Sequence, residues 1–474
     1  MVFYPLLFAA FPILFLYAHN ISETSASQIW LPIVISVAAN LVLWAVLSLI
    51  LRSLSKAGLA TAIFLGLFFS YGRLYDGLGY LGAFVPKHAY LLPVMLFIWG
   101  YCVYFIGRAK RDFRITTRLF NIIAVVLIAI NLVNIASYEI KLARLGDIAP
   151  EETPEYTAGT PEDLSTLPDI YVIIPDEYAH PDTMKEYYDY DNSGFIESME
   201  DKGFFVAHES KTHTECTQIS IASLLNMEYV EEAEMSVLVR KNADNNVVNF
   251  LKAKGYYYVC FGATPVFGGE EVNADLYYDL WERGGSTTPQ LEFLRLLYRT
   301  TMIRPFYQHL TGGAYEIYYR SIVINTFATL EEMPDIPGPK FVFAYVMCPH
   351  EPFLFGPGGE SVARVNWYNY IDKQVYLGQY VFISHEIEEV VDVILENSAN
   401  EPIIIIQSDH GLRSHHPGIE VGEDDGHKIL NAYYLPGGGK ELLYDSISPV
   451  NSFRVIFNYY LGADYPLLED NQEQ

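Results

Sequence analysis

Ile403-Ile404-Ile405-Ile406-Gln407-Ser408-Asp409-His410-Gly411 decides how this chain folds. Four consecutive isoleucines have no polar face, so they read as a strand buried on both sides, as in a parallel sheet. Asp409 and His410 then stand at the carboxyl end of that strand, with Gly411 behind them. Open α/β sheets place their ligand sites at such ends. A hard carboxylate oxygen beside an imidazole nitrogen suits a divalent metal. Alone, the pair reads more readily as a helix cap or a loop histidine after a core strand, and the rest of the chain decides.

The sequence has 474 residues, of which 51% are hydrophobic, and they are unevenly spread. Residues 1–137 carry nine Lys/Arg and three Asp/Glu, whereas residues 138–474 carry 21 and 54. A membrane part is thus joined to a strongly acidic part. The acidity excludes a general nucleic-acid binder, which needs a basic footprint. Five apolar stretches stand out in the first part: Phe3–Tyr17, Trp30–Leu51, Leu59–Tyr71, Tyr90–Ile106 and Leu119–Ile135. A span takes about 20 apolar residues, so the first and third reach that length only with their flanks. Phe3–Tyr17 also has the size of a signal-peptide core, but it lacks a basic start and a small-residue cleavage site. Arg52 and Lys56 follow the second stretch, and Arg108, Lys110, Arg111, Arg114 and Arg118 follow the fourth, whereas Asn20–Gln28 has no basic residue. Basic loops stay inside. The amino terminus is therefore expected in the cytoplasm, and five spans carry the acidic part outside the plasma membrane.

Residues 138–168, rich in Pro, Glu and Thr, read as a linker. From residue 169 onward strands and helices alternate. Strands are expected at Ile170–Ile174, Tyr256–Phe261, Phe341–Met347, Ile403–Gln407 and Tyr433–Leu435. Helices are expected near Thr183–Lys202, Asn246–Lys254, Leu291–Met302, Asp372–Glu396 and Val450–Tyr460. That alternation predicts an α/β domain over 169–474, with a mostly parallel sheet flanked by helices. Cys102, Cys216, Cys260 and Cys348 have no metal-ribbon spacing and imply no disulfide framework; a Cys260–Cys348 bridge is left open.

Polar residues follow three of the strands: Asp176 after the first, His350 after the third, and Asp409-His410 after the fourth. Three strand ends of this kind point to a metal or phosphate site more than one would. A nucleophile is offered by Thr214-Glu215-Cys216-Thr217-Gln218-Ile219-Ser220-Ile221-Ala222-Ser223-Leu224-Leu225-Asn226, which starts polar and becomes helical. Thr217 would lie at the helix amino terminus, where free N–H groups favour an anion. It would serve there either as an N-cap or as a nucleophile activated by a metal or base. Cys216 is the rival, since a thiol is the more reactive group.

With Asp176, Thr217–Met227, His350-Glu351-Pro352-Phe353, Ser408–Gly411, Asn431–Pro436 and Ser448–Arg454, the chain resembles the membrane sulfatase-like branch of the alkaline phosphatase superfamily. Lipoteichoic acid synthases and phosphoethanolamine transferases are of that type. They have five amino-terminal spans and an extracytoplasmic catalytic domain, so the resemblance covers nearly the whole chain. It implies that Asp176, Thr217, Asp409 and His410 ligate one divalent metal, with Glu177 an alternative to Asp176. Thr217 is then also the nucleophile, through a phospho-threonine. His350 matches a His-x-Pro-Phe motif whose histidine contacts substrate phosphate or a second, weaker metal. His415, His416 and His427 are candidates for a further substrate-binding histidine. Val346 stands where two-metal relatives carry an Asp four residues before the His, which favours a single tight metal. Three oxygens and one nitrogen favour Mn or Zn over Mg.

The implied activity is transfer or hydrolysis of phosphoesters, with a membrane lipid as donor and an envelope lipid or glycan as acceptor. Nothing calls for an obligate protein partner. A sulfatase of the same fold is an alternative, but Cys216-Thr217-Gln218-Ile219-Ser220 lacks the Pro and Arg of the Cys-x-Pro-x-Arg motif that is converted to formylglycine. An inactive membrane scaffold is the remaining alternative.

Overall fold

The computed structural model describes residues 2–470 except 22–25, 27–28, 81–86, 111, 147–165, 232, 263, 269–271, 279–287, 308–313, 363–372 and 414–418. The chain forms two compact units, Met1–Ala149 with Gly285–Tyr315, and Pro150–Gly284 with Glu316–Gln474.

The first unit contains α1 (Tyr4–His19), α2 (Trp30–Leu51), α3 (Leu54–Tyr80), α4 (His88–Arg108) and α5 (Arg114–Gly146). Helices α2 to α5 are long and apolar enough to cross a membrane. Helix α1 has 16 residues, about 24 Å at 1.5 Å per residue, short of a hydrocarbon core of about 30 Å. The third apolar stretch is the middle of a 27-residue helix, so its flanks supply the missing length. These helices turn large apolar side chains outward, with Leu49 79% and Ile115 82% exposed. Water would oppose that exposure and hydrocarbon favours it. Some polar side chains face other helices. Asn121 on α5 accepts from the Phe3 and Tyr4 backbone N–H groups, capping α1. Asn40 and Ser36 on α2 donate to the α1 carbonyls of Pro5 and Ala9. Such bonds satisfy groups that lipid cannot.

Helix α5 runs to Gly146, so residues 138–146 of the expected linker continue the helix, and 147–165 lie outside the described residues. The segment Gly285–Tyr315, which patterning does not separate from residues 169–474, packs with the helical unit. Its helix Thr288–Thr300 approaches α3 closely at Gly72, where a Cβ would lie 2.0 Å from the Arg299 carbonyl oxygen. Arg304 follows and pairs with Asp76 at 2.8 Å.

The second unit is built on seven strands: β1 (Ile170–Pro175), β2 (Phe205–Val206), β3 (Tyr257–Phe261), β4 (Leu276–Tyr278), β5 (Lys340–Val346), β6 (Ile403–Gln407) and β7 (Asn431–Tyr434). Their order is β2-β7-β6-β1-β5-β3-β4. Strands β6, β1, β5, β3 and β4 are parallel, while β7 runs antiparallel to β6 and β2 to β7. Every residue of β1, β5 and β6 is buried. Since successive side chains face opposite sides, both faces of the sheet centre are covered. One face packs on the helices Thr217–Asn226, Asn246–Ala253 and Pro449–Leu461 around Ile174, Phe343 and Ile405. The expected helix over Thr183–Lys202 is two, Pro181–Tyr188 and Ser193–Asp201.

Register positions the site. Ile173 lies opposite Ile406, and Pro175 opposite Val346. Strand β1 sits between β5 and β6, so their carboxyl ends are level, and Asp176, the loop to His350, and Asp409-His410 follow them at one edge of the sheet.

Candidate active site

Asp176, Asp409 and His410 form a buried cluster in which one ligand atom from each lies within 4.8 Å of the others. His410 Nε2 is 3.5 Å from Asp176 Oδ1 and 3.6 Å from Asp409 Oδ2. The outer oxygens are already engaged. Asp176 Oδ2 accepts from the Tyr345 phenol. Asp409 Oδ1 accepts from the Glu177 and His410 backbone N–H groups at 3.1 and 2.9 Å. The inner oxygens, Asp176 Oδ1 and Asp409 Oδ2, are buried without a hydrogen-bond partner. A buried carboxylate oxygen without a partner is costly. Two of them facing one imidazole nitrogen are what a divalent cation would relieve.

The imidazole is set for the same purpose. His410 Nδ1 lies 2.8 Å from the Gly411 carbonyl, which makes Nδ1 the protonated nitrogen and leaves the Nε2 lone pair facing the carboxylates. Ser408 braces the strand end: its hydroxyl donates to the His410 carbonyl and accepts from Tyr178 N–H. Gly411 is required by close approach, because a Cβ there would lie 2.2 and 2.3 Å from the Asp425 and Lys428 carbonyl oxygens. Burial and then the Asp409 charge push the Asp176 carboxyl up to about 6.

Glu177 lies outside the cluster. Its backbone is left-handed at φ 58°, a conformation that strains a residue with a Cβ. That geometry turns its N–H toward Asp409, and its carboxylate accepts from Arg413 N–H at 3.3 Å. Between Asp176 and Glu177, the three-residue cluster contains Asp176.

His350 follows β5 on a loop held by Gln379, which donates to the Pro349 and His350 carbonyls at 3.0 and 2.8 Å. Its ring lies 4.0 Å from Asp176 Oδ2 and 3.9 Å from Glu177 Oε2. Burial lowers its pKa, but Asp176 and then Glu177 raise it more, to about 9. Its Nδ1 rests 2.8 Å from the Glu351 carbonyl. The 3.3 Å contact from Arg413 Nη1 to its Nε2 requires the neutral ring, so imidazolium and Arg413 acceptor are alternative states of this nitrogen.

Thr217 is buried and is the first residue of its helix; Cys216 is the N-cap, without a side-chain cap bond. The loop before Thr217 reaches the cluster through Arg413, whose Nη2 lies 3.4 Å from the Glu215 carbonyl and 2.8 Å from His410 Nε2. Cys216 is half-buried and its thiol donates to Gln218 at 3.3 Å. Cys260 and Cys348 are buried and free, so they form no bridge, and burial pushes both thiols up. His427 binds the same loop, its Nδ1 2.9 Å from the Thr212 carbonyl. His415 and His416 lie outside the described residues. Sequence reading passed over Tyr345 and Arg413. Tyr345 had no signal beyond its place on an inward strand, whereas Arg413, three residues past Asp409-His410, is a cation beside an anionic motif.

No protein-family profile matches the chain, and no curated protein matches it. Among solved structures it is similar to the integral membrane protein lipooligosaccharide phosphoethanolamine transferase A from Neisseria meningitidis, at 11% identity over 96% of this chain and 95% of that one, TM-score 0.43. It is also similar to the carboxyl-terminal periplasmic domain of EptC from Escherichia coli, at 11% identity over 67% and 90%, TM-score 0.43. A third similarity is to BT1596, a 2-O GAG sulfatase, at 13% identity over 63% and 72%, TM-score 0.39.

Proposed function

We propose that the chain is an integral-membrane, metal-dependent phosphoester transferase or hydrolase that works outside the membrane through a phospho-threonine on Thr217. The observation that carries this reading is the pair of unpartnered buried oxygens, Asp176 Oδ1 and Asp409 Oδ2, aimed at the same space as His410 Nε2. Those three atoms, with the Thr217 hydroxyl as the resemblance implies, would hold one Mn or Zn. A divalent ion bound there lowers the pKa of a coordinated hydroxyl and offsets negative charge on phosphoryl oxygens.

The residues of the chain supply the rest. The Thr217 oxygen attacks phosphorus, forming the Thr217 O–P bond as the bond to the donor's leaving oxygen breaks. The hydroxyl proton passes to the site's bases and the leaving alkoxide takes up a proton. His350, as imidazolium, is placed to contact a phosphoryl oxygen or to return that proton. The helix that begins at Thr217 directs its terminal N–H groups and dipole toward the same anionic group. An acceptor hydroxyl, or water, then attacks phosphorus and releases Thr217. The helical unit supports a donor held in the bilayer, such as a phospholipid with a phosphodiester headgroup, and an envelope lipid or glycan as acceptor.

Full-length protein in detergent, incubated with manganese and a phospholipid labelled at phosphorus, is expected to trap label on the peptide containing Thr217. Thr217→Ala should trap none and lose at least about a thousandfold in turnover, the scale of removing a covalent nucleophile. Turnover by Thr217→Ala at the wild-type rate would sink the assignment. The same digest tests the sulfatase reading, because a formylglycine in place of Cys216 would replace the phosphate reading.

A further inference from the structure

Arg413 ties together every part of the site. Its backbone N–H donates to Glu177 Oε1. Its Nη1 reaches His350 Nε2 at 3.3 Å, and its Nη2 reaches both His410 Nε2 at 2.8 Å and the Glu215 carbonyl at 3.4 Å. The guanidinium thus touches the loops that follow β5 and β6 and the loop that leads into Thr217, while the backbone N–H of the same residue holds the loop after β1.

We propose that Arg413 is the phosphoryl-oxygen clamp of this site, binding the non-bridging oxygens of the group that Thr217 attacks. The proposal rests on the phosphoryl-transfer reading above and adds a residue to it. A guanidinium has five N–H donors in a planar fork that matches phosphate, yet two of its contacts here are imidazole nitrogens and one is a carbonyl. Anionic oxygens are stronger acceptors for it than either.

Arg413 and a metal also compete for one atom. His410 Nε2 has a single lone pair and cannot serve Arg413 and a metal together. Ligation of a metal by His410 leaves Nη2 without that partner, so donors next to the reacting centre become available for an anion. Charge points the same way. Asp176, Glu177 and Asp409 bring three negative charges to the site, and a divalent ion with the His350 imidazolium would balance them. The Arg413 guanidinium then adds the positive charge that attracts a phosphoryl group, and without it the site would be neutral.

The test uses full-length protein in detergent with two probes, manganese and inorganic phosphate, titrated calorimetrically against wild type, Arg413→Gln and Arg413→Lys. The clamp predicts that Arg413→Gln retains one manganese per chain, with affinity equal to or tighter than wild type, because a competitor for His410 Nε2 is gone. Phosphate affinity of the manganese-loaded protein should fall about 10- to 100-fold, the range for losing charge-assisted hydrogen bonds. Arg413→Lys, which keeps the charge without the fork, should fall between the two. Unchanged phosphate affinity in manganese-loaded Arg413→Gln overturns the proposal. Loss of manganese from both variants also overturns it, because Arg413 would then be a brace for the histidines. Wild-type protein that binds neither manganese nor phosphate would sink the phosphoryl-transfer reading, and the clamp with it.

Discussion

Asp176 and Asp409 face each other in a place where water does not reach them, and that is unfavourable until a cation joins them. Asp409→Asn separates the two effects. The amide keeps an oxygen for the Glu177 and His410 N–H groups but removes one of the facing charges. Metal-free Asp409→Asn should therefore melt at or slightly above wild type, yet lose the rise in melting temperature that manganese confers. In wild type that rise corresponds to about 2.7 kcal/mol at a metal concentration of 100 times Kd. A metal-free variant that melts well below wild type would mean that Asp409 acts as a structural acceptor and little more.

The same pair sets a pH dependence. Asp176 is raised to about 6 by burial and by Asp409, above the unfolded value of about 3.9. The folded metal-free protein thus holds this proton longer than the unfolded chain. Its contribution to stability is full below pH of about 4 and is lost as pH rises through about 6. Metal binding needs the carboxylate and strengthens over the same window. Melting of chelated and manganese-loaded protein at pH 5, 6 and 7 should show a gap that widens with pH, and a constant gap would contradict the Asp176 assignment. Asp409-His410 could be read from neighbouring residues because both follow one buried strand. Arg413 and Tyr345 could not, since their roles lie in contacts with Glu215, His350 and Asp176 made across the fold.

Strand register and loop closure turn those residues into a site. Strands β1, β5 and β6 were legible because continuous apolar runs leave no alternative to burial on both faces. The two-residue β2 and three-residue β4 were not, being too short to carry a period. The split between Pro181–Tyr188 and Ser193–Asp201 was hidden because both pieces have helical composition; Asp189, left-handed at φ 54°, ends the first. Closure of the 425–428 loop on the strand end depends on Gly411. Gly411→Ala would drive a methyl into two carbonyl oxygens and should cost about 1–3 kcal/mol, the range for overpacking a filled interior. It should also weaken manganese binding by shifting His410. Gly194→Ala, on a helix with nothing within 4 Å of the new Cβ, is the control and should be neutral or stabilising by up to about 1 kcal/mol. Equal melting temperatures for the two variants would show that the loop yields without cost.

For the molecule as a whole, the proposed function requires that the acidic unit lie outside the membrane, and basic loops are the basis for that expectation. In intact cells, with Cys102 and Cys216 replaced by Ser, a membrane-impermeant maleimide should label Ala399→Cys and leave Ser53→Cys unlabelled until the membrane is opened. The reverse pattern would invert the topology and move the reaction to the cytoplasm. The apolar segments, their basic flanks, the buried parallel strands and the acidic strand ends were determined by residue order alone. Each is a matter of local hydropathy or charge, and local patterns act over a few residues.

The tertiary structure decided the rest. It placed Asp176 against Asp409 and His410, set Glu177 outside that cluster, brought Arg413 to the centre, and returned Gly285–Tyr315 to the helical unit. The reason is physical: Glu177 and Asp409 meet across 232 positions of chain. Such a meeting is fixed by strand order and by which surfaces bury each other, and no local pattern encodes either.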